Sequence, residues 1–275
     1  MEKKLQVVIG GTSGMGLSTA FAVSKFGPVL ICGRSEKKLD AAIEQLKAAG
    51  VDAYGKTCDI SSRASLDEFV AYAQSIGEIG NVINAAGVDA GGADLIININ
   101  YIGTINVVEA FYPVLKDACL VNYSSITGYF HRPDANEIAV WNEPTDTEFA
   151  HKVKEVMANK DVDPRMAHLG MDYLYYTASK AFVIYYTKAN TLRFGQKNCR
   201  IFSVAPGAFD TPMLREQSDD AVAVVAKGTA LQRLGKPEEM AAFITRLLEP
   251  GLEYLTGCDL ILDGGKSAMV LAKQL

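Results

Sequence analysis

A tyrosine and a lysine lie four residues apart in the segment YTASK, as Tyr176 and Lys180. In an α-helix this spacing places both side chains on one face. A phenol with an ordinary pKa near 10 exchanges protons readily at neutral pH only if about 4 kcal/mol of preferential stabilisation lowers that pKa. A neighbouring ammonium and a second bound cation can supply energy of that order in a partly desolvated cleft. The pair therefore predicts acid–base chemistry at a substrate oxygen, with a lowered tyrosine pKa.

A glycine-rich turn, GGTSGMG, follows the first predicted strand and leads into a predicted helix. Glycine has no Cβ, so such a turn can adopt positive φ and bring backbone N–H groups and the helix N-terminus close to a pyrophosphate. At the first strand-to-helix junction of an α/β chain, this turn predicts a dinucleotide site. The residues expected to line it are Gly10, Thr12, Ser13, Gly14, Met15 and Gly16.

The end of the second predicted strand, CGRSEKK, indicates which dinucleotide is bound. An acidic residue at this place accepts a hydrogen bond from the ribose 2′-hydroxyl and repels a 2′-phosphate. Gly33 stands there instead, and Arg34 follows it, next to Ser35. A guanidinium can bind a phosphate through two hydrogen bonds, and Lys37 or Lys38 can add a further positive charge. The sequence therefore predicts NADP(H) as the preferred cofactor, with NAD(H) as the alternative.

Short β-branched runs alternate with longer segments of helical period, a pattern typical of a parallel sheet covered by helices on both faces. We therefore predict an α/β fold: one Rossmann-like, doubly wound domain over residues 1–275 with a seven-stranded parallel sheet. The predicted strands are Gln6–Ile9, Val29–Cys32, Ala53–Thr57, Asn81–Ile83, Cys119–Tyr123, Arg200–Val204 and Asp259–Leu262. The predicted helices include Leu17–Phe26, Leu39–Ala49 and Pro237–Leu248.

The segment 127–171 interrupts this alternation because it is more polar and contains Trp141, the only tryptophan. We predict that it is a helical insertion within the domain that forms a lid near the substrate cleft. Within it, Thr145 and Glu148 have capping-box spacing, which predicts a helix over Thr145–Asn159. All three histidines, His131, His151 and His168, also lie in it. Their spacing is irregular and lacks a metal-ligand pattern, so no metal site is predicted.

The composition favours a small molecule as the binding partner. With a formal net charge of −5 and a pI near 5.3, the chain has no basic surplus for nucleic acid or an anionic membrane. The apolar run in MEKKLQVVIGG is too short for a secretory or membrane segment, which predicts a cytoplasmic protein. The five cysteines are scattered, a pattern typical of buried free thiols.

Four further motifs follow the glycine turn: NAAG at 84–87, SSITG at 124–128, YTASK at 176–180 and PG at 206–207. Their order resembles that of the short-chain dehydrogenase/reductase family, and the resemblance runs from Gln6 to Gly265. It implies hydride transfer between a nicotinamide dinucleotide and a secondary alcohol or ketone. By the same resemblance the catalytic residues are Asn100, Ser125, Tyr176 and Lys180.

The resemblance gives each catalytic residue a role. Tyr176 exchanges the proton, Ser125 holds the substrate oxygen, and Lys180 lowers the tyrosine pKa and holds the nicotinamide ribose. Asn100 opens a helix kink and relays protons through water. Neighbouring alternatives are Asn98 for the asparagine, and Ser124 and Tyr175, which are disfavoured by their positions in the motifs.

Further dinucleotide contacts are implied by the resemblance. The segment 84–87 resembles the family's NNAG, with Ala85 in place of the second asparagine. Asp59 and Ile60 resemble the family residues that contact adenine. The segment after the sixth strand resembles the part that lines the nicotinamide. The residues concerned are Asp59, Ile60, Asn84, Ala85, Ala86, Gly87, Tyr176, Lys180, Pro206, Gly207, Phe209 and Thr211.

Ser125 and Tyr176 are 51 positions apart, far more than in most of the family. Hydroxysteroid dehydrogenases and carbonyl reductases have long inserts here, so we expect a bulky apolar or steroid-like ketone. Aromatic residues of the insertion either line this cleft or anchor the insertion on the core. A 3-oxoacyl-(carrier protein) reductase and a non-catalytic dinucleotide-sensing module are the alternatives. The family resemblance and two largely apolar helices, near 99–115 and 176–194, also predict a homodimer or homotetramer.

Overall fold

A computed structural model describes residues 3–160, 170–216 and 218–272. Seven parallel strands form one sheet in the order β3-β2-β1-β4-β5-β6-β7, with helices between successive strands. This confirms the predicted Rossmann-like doubly wound sheet. The strands are β1 Leu5–Ile9, β2 Val29–Cys32, β3 Ala53–Gly55, β4 Ile79–Asn84, β5 Cys119–Tyr123, β6 Arg200–Pro206 and β7 Asp259–Leu262.

Thirteen α-helices occur within the described residues. A 3₁₀ turn follows α1 at Ser24–Phe26, a π-helical turn joins α4 to α5 at Ile97–Ile102, and a second 3₁₀ turn spans Ile126–Phe130. The α-helices are α1 Gly14–Val23, α2 Glu36–Ala48, α3 Arg63–Ile76, α4 Ala93–Ile96, α5 Gly103–Phe111, α6 Ala135–Trp141, α7 Phe149–Ala158, α8 Gly170–Ala189, α9 Thr191–Gly195, α10 Pro212–Arg215, α11 Asp219–Lys227, α12 Pro237–Leu248 and α13 Lys266–Ala272.

The strand order reverses between β1 and β4, where the chain turns to opposite sides of the sheet. In parallel sheets a crevice opens at this point, beyond the carboxyl ends of the strands. β1 pairs with both β2 and β4, so the turns after these three strands meet at one edge. The topology therefore brings together three segments that are far apart along the chain.

Among its described residues the inserted segment contains α6 and α7, and α7 lies within the predicted helix Thr145–Asn159 but begins four residues later. α7 begins at Phe149, and Glu148 caps it without a side-chain hydrogen bond, so the predicted capping box at Thr145 is wrong. A capping box occurs instead at α6, where Asp134 and Glu137 satisfy each other's backbone N–H groups. The aspartate supplies the cap because its side chain accepts directly from the N–H of Glu137, at 3.0 Å.

Aromatic side chains anchor the insertion on the main core. Trp141 is only 2% exposed, and Phe149 only 1%. The Trp141 ring contacts Phe182 of α8 edge-on, with centroids 5.6 Å apart, and Phe149 lies against the same ring. Tyr175 is buried in this core as well. The chain's own insertion thus covers α8 at Phe182, and the predicted subunit contact stays a prediction.

A charged cluster adds a second anchor within the insertion. Glu137 is 1% exposed and accepts from His131 Nε2 at 2.6 Å and from Lys160 Nζ. The lysine also donates to the carbonyl of Arg132 at 3.0 Å. Burial raises the pKa of Glu137, but the hydrogen bonds from His131 and Lys160 outweigh it, so the pKa is lowered. The carboxylate therefore stays ionised and holds both partners in place.

Candidate functional site

A cleft of about 630 Å³ opens at the carboxyl edge of β1, β2 and β4, where the strand order reverses. Backbone and small side chains form most of its wall. Thirteen of the residues predicted from sequence to contact a dinucleotide line it: Gly10, Thr12, Ser13, Gly14, Met15, Gly16, Arg34, Ser35, Ile60, Ala85, Ala86, Gly87 and Thr211.

The glycine turn has the conformation that close backbone approach requires. Gly10 and Gly14 have φ angles of 75° and 53°, which side chains disfavour. A Cβ on Gly16 would lie 2.2 Å from the carbonyl oxygen of Gly10, so only glycine fits there. The N-terminus of α1 faces the cleft, and its unpaired N–H groups favour an anion. These residues fit the phosphates of a dinucleotide.

Positive charge lies at the end of the cleft formed by β2 and α2. Arg34, Ser35 and Lys38 line the wall, and Lys37 lies outside it. Both lysines are exposed, and the contribution of either one to cofactor binding stays a prediction. Gly33 is packed so tightly that a Cβ there would lie 2.7 Å from Thr12. A larger residue at position 33 would therefore require Thr12 to move.

Five other predicted dinucleotide residues lie behind the wall. Asp59 accepts from the N–H and hydroxyl of its neighbour Ser61, at 3.0 and 2.7 Å. Asn84 is buried and donates to Asn122 of β5 at 3.2 Å. Of the remaining three, Pro206 ends β6 and Gly207 and Phe209 follow it, and none of them lines the cleft.

Tyr176 and Lys180 share one face of α8 and point toward the end of β5. Lys180 is 6% exposed; its Nζ donates to the carbonyl of Tyr123 at 3.1 Å and lies 5.7 Å from the centre of the Tyr176 ring. A Cβ on Gly87, which lines the cleft, would lie 3.2 Å from this Nζ. The tyrosine–lysine pair therefore adjoins the dinucleotide cleft.

Burial raises the pKa of Tyr176 in the protein alone, and the lowered pKa expected with a bound nicotinamide cation stays a prediction. Burial raises this pKa to about 12, while the Ser125 hydroxyl acts in the lowering direction and Asp89 adds to the rise. Burial also lowers the pKa of Lys180 to about 8, opposed by Asp89 and Asp259. Desolvation dominates both shifts because both side chains lie in the interior. Burial also makes the charged form of Lys180 less favourable. The protein alone thus holds Tyr176 as a neutral phenol.

Asn100 lies in the π-helical turn between α4 and α5, which gives the predicted break in the helix. Its side chain accepts from Val88 N at 3.0 Å and donates to Val88 O at 2.8 Å. It also lies 2.9 Å from the hydroxyl of Ser179 in α8. Asn100 thereby fixes the loop after β4 next to the tyrosine–lysine pair. The proposed water relay stays a prediction.

Ser125 follows β5 and caps the 3₁₀ turn, where its hydroxyl accepts from Thr127 N at 3.2 Å. Sequence reasoning missed two further groups around Tyr176. The hydroxyl of Thr127 is buried next to Tyr176 and acts in the direction of a lower pKa for that tyrosine, whereas Asp89 raises it. Asp89 comes two residues after NAAG, a position that could have marked it as a site residue.

Across 3–160, 170–216 and 218–272, no three His, Cys, Asp or Glu side chains form a group able to hold a metal ion. His131 pairs with Glu137, His151 lies on the exposed face of α7 beside Glu155, and His168 falls outside the described residues. None of the helices described is both long and apolar enough to cross a membrane.

Comparison with known proteins assigns the family. A family model described as short chain dehydrogenase matches residues 4–136. A second, described as Enoyl-(Acyl carrier protein) reductase, matches residues 165–267. The stretch between the two matches, 137–164, falls inside the inserted segment.

Curated relatives cover almost the whole chain. It is 26% identical over 281 residues to 3-oxoacyl-(acyl-carrier-protein) reductase FabG of Thermotoga maritima, spanning 96% of this chain and 98% of the relative. It is 25% identical over 281 residues to a tropinone reductase homolog of Datura stramonium, spanning 94% and 90%. Both relatives are named as reductases.

Solved structures show the same fold. A variant of actinorhodin polyketide ketoreductase determined with NADPH superimposes with a TM-score of 0.74 at 25% identity, covering 96% of this chain and 97% of that one. A dehydrogenase/reductase from Sinorhizobium meliloti gives 0.77 at 18% identity, with 97% and 96% covered. The motifs, the cleft and these similarities show that the chain is an oxidoreductase that belongs to the short-chain dehydrogenase/reductase family.

Proposed function

We propose that the protein uses NADP(H) to reduce a ketone to a secondary alcohol, with Ser125, Tyr176, Lys180 and Asn100 at the reacting centre. The observation that carries this proposal is the position of the Tyr176–Lys180 pair beside Gly87, at the wall of the cleft. A bound nicotinamide dinucleotide supplies the hydride. The chain's own residues supply the proton and hold the substrate oxygen.

The pKa of Tyr176, raised to about 12 by burial, suits the reducing direction. A neutral phenol donates a proton to the alkoxide that forms as the carbonyl is reduced. Ser125 donates a hydrogen bond to the same oxygen and stabilises its developing charge. Lys180 places an ammonium beside the tyrosine ring and the cleft wall, and this charge favours the phenolate left after proton transfer.

Arg34 and Lys38 support NADP(H) over NAD(H). Both line the cleft at the end of β2, next to Gly33 where an acidic residue would repel a 2′-phosphate. The N-terminus of α2 begins at Glu36 and adds partial positive charge there. Together they form an anion site of the right sign for the 2′-phosphate.

A bulky ring ketone is the first substrate class we propose, because Met213 adds exposed apolar surface to the cleft wall. Met213 lines the cleft and is 41% exposed, and Tyr173 lies close enough to Tyr176 to act on its pKa. A 3-oxoacyl thioester is the second candidate. It is favoured by the names of the Thermotoga maritima relative and the polyketide ketoreductase.

The test is NADPH and NADH oxidation by the purified protein with ketosteroids, cyclic ketones and 3-oxoacyl thioesters. We expect turnover with NADPH and a ring ketone. Turnover restricted to thioesters would select the second candidate. Dinucleotide binding with no turnover across the whole panel would contradict the reductase proposal and favour a sensing module. Light scattering of the same sample tests the predicted homodimer or homotetramer.

A further inference from the structure

We propose that Asp259 is a positioning residue that holds the segment Ser124–Tyr129 in place and so presents Ser125 to the substrate oxygen. This rests on the proposed function for the role of Ser125. Asp259 is the first residue of β7, at the edge of the sheet and 83 positions after Tyr176. None of the family motifs described above includes it.

A row of polar side chains crosses the sheet and ends at Asp259. The pairing register places Asn84 beside Asn122, Asn122 beside Ser203, and Ser203 beside Asp259. Directly paired residues project to the same face of a sheet, so the four side chains form a continuous line. Asn122 also donates to Thr187 at 3.1 Å, which identifies this as the face covered by α8.

Asp259 contacts both ends of the segment that carries Ser125. Its Oδ1 lies 2.6 Å from the hydroxyl of Ser124, and its Oδ2 accepts from the hydroxyl of Tyr129 at 2.7 Å. Ser203 donates to Oδ1 as well. The two oxygens of one carboxylate thus bridge the residue before Ser125 and the residue four positions after it.

This bridge fixes the turn in which Ser125 and Thr127 face Tyr176. Within the segment, Gly128 N donates to the carbonyl of Ser125 at 3.1 Å, and Thr127 N donates to its hydroxyl. Tyr129 is 44% exposed, so without Asp259 its hydroxyl would turn to water. Displacement of a reacting group by about 1 Å can cost on the order of 100-fold in rate.

Asp259 also acts on the tyrosine–lysine pair through its charge. Burial lowers the pKa of Lys180 to about 8, and Asp259 opposes this fall, together with Asp89. Removal of the carboxylate charge should therefore lower the pKa of Lys180 further. The alkaline limb of the pH–rate profile, where Lys180 loses its proton, would then move to lower pH.

The experiment compares the full-length wild type with D259N and Y129F. Charge-matched D40N, at an exposed position on α2, and Y254F, at a fully exposed tyrosine, are the controls. For D259N we expect kcat to fall by about 10- to 100-fold, with dinucleotide affinity unchanged and the alkaline limb at lower pH. Y129F should reduce kcat less and leave that limb in place, and both controls should match the wild type.

Hydrogen exchange at Gly128 and its neighbours gives a readout that needs no activity. Exchange should be faster in D259N and Y129F than in D40N and Y254F. If the wild type reduces no ketone but exchange rises as expected, the proposed function fails and the bridge stands. Unchanged exchange, or a normal kcat and pH limb in D259N, would overturn the role of Asp259. Because Tyr129 is exposed, Y129F should fold even if D259N does not. Its exchange rates would then test the role of Asp259 on their own.

Discussion

The dinucleotide cleft and the inserted segment between Ser125 and Tyr176 are held together by different kinds of contact. Glycines and other small residues form much of the cleft wall, and at Gly16 a single Cβ would meet a carbonyl oxygen at 2.2 Å. The insertion is held by side chains, through Trp141 in the core and a buried Glu137. Adding an atom at Gly16 should therefore disturb the first region, whereas removing a side-chain group should disturb the second.

Because of this difference, substitutions in the two regions should affect different properties of the protein. Cleft substitutions should act on dinucleotide affinity, and insertion substitutions should act on the stability of the fold. Tyr176 lies where the two regions meet, since it follows the insertion in sequence and adjoins the cleft in space. Four variants test this division, beginning with the one expected to have the largest effect.

Tyr176→Phe removes the proton donor and keeps the ring. Because acid–base catalysis contributes about 10²- to 10⁴-fold, we expect kcat to fall by that factor while dinucleotide titration stays near normal. Tyr175→Phe is the matched control, since that residue is buried in the core and should retain most activity. An active Y176F enzyme would refute the assignment of Tyr176 as the acid.

Gly16→Ala places a Cβ against the backbone of the glycine turn. We expect dinucleotide affinity to fall by at least about 100-fold, which corresponds to roughly 2.7 kcal/mol, as measured by fluorescence titration. Gly195→Ala is the control, because a Cβ at the end of α9 meets no atom within 4 Å. If G16A bound the dinucleotide normally, the close approach in the turn would have no role in binding.

The double change of Arg34 and Lys38 to alanine removes the charges proposed for the 2′-phosphate. Hydrogen bonds to charged groups contribute about 1.5–3 kcal/mol, so we expect NADPH affinity to fall by about 50-fold and NADH affinity to change little. Lys37→Ala should leave both affinities unchanged. Equal losses for NADPH and NADH would remove the basis for NADP(H) preference.

Glu137→Gln removes the buried carboxylate that pairs with Lys160 and leaves that lysine only Asp134, at 3.9 Å. We expect the free energy of unfolding to fall by about 2 kcal/mol, measured by urea denaturation at pH 7. Glu155→Gln should cost less than about 0.5 kcal/mol, because its pair with His151 is exposed. Equal stability of E137Q and the wild type would show that the cluster does not anchor the insertion.

The pH dependence of this effect has a defined sign. The net shift of the Glu137 pKa in the folded protein is downward, so its contribution is present above the unfolded carboxyl pKa of about 4.3 and is lost as pH falls through the folded value. The stability difference between wild type and E137Q should therefore shrink on acidification. A difference that grows toward acid pH would contradict the assigned ion pairs.

Local patterns in the sequence were enough to predict the sheet and many of the residues that line the cleft. Alternation of β-branched and helical segments predicted seven strands, and the glycine spacing predicted the turn, because both depend on neighbouring residues. The predicted strand ends were less accurate. β3 stops at Gly55 instead of Thr57, and β4 runs from Ile79 to Asn84 instead of from Asn81 to Ile83. Those ends are set by hydrogen bonding to neighbouring strands, which are distant in the sequence.

Tertiary structure alone decided the start of α7, the placement of Trp141 and the direction of the Tyr176 pKa shift. Each of these properties depends on residues that are distant in the sequence but close in the folded chain. The motif spacing of Tyr176 and Lys180 correctly placed the two side chains on one face of α8, but their pKa values follow from burial that only the folded chain creates. Asp259 is the clearest case, because its partners at 124, 129 and 203 meet it only once β5, β6 and β7 pair.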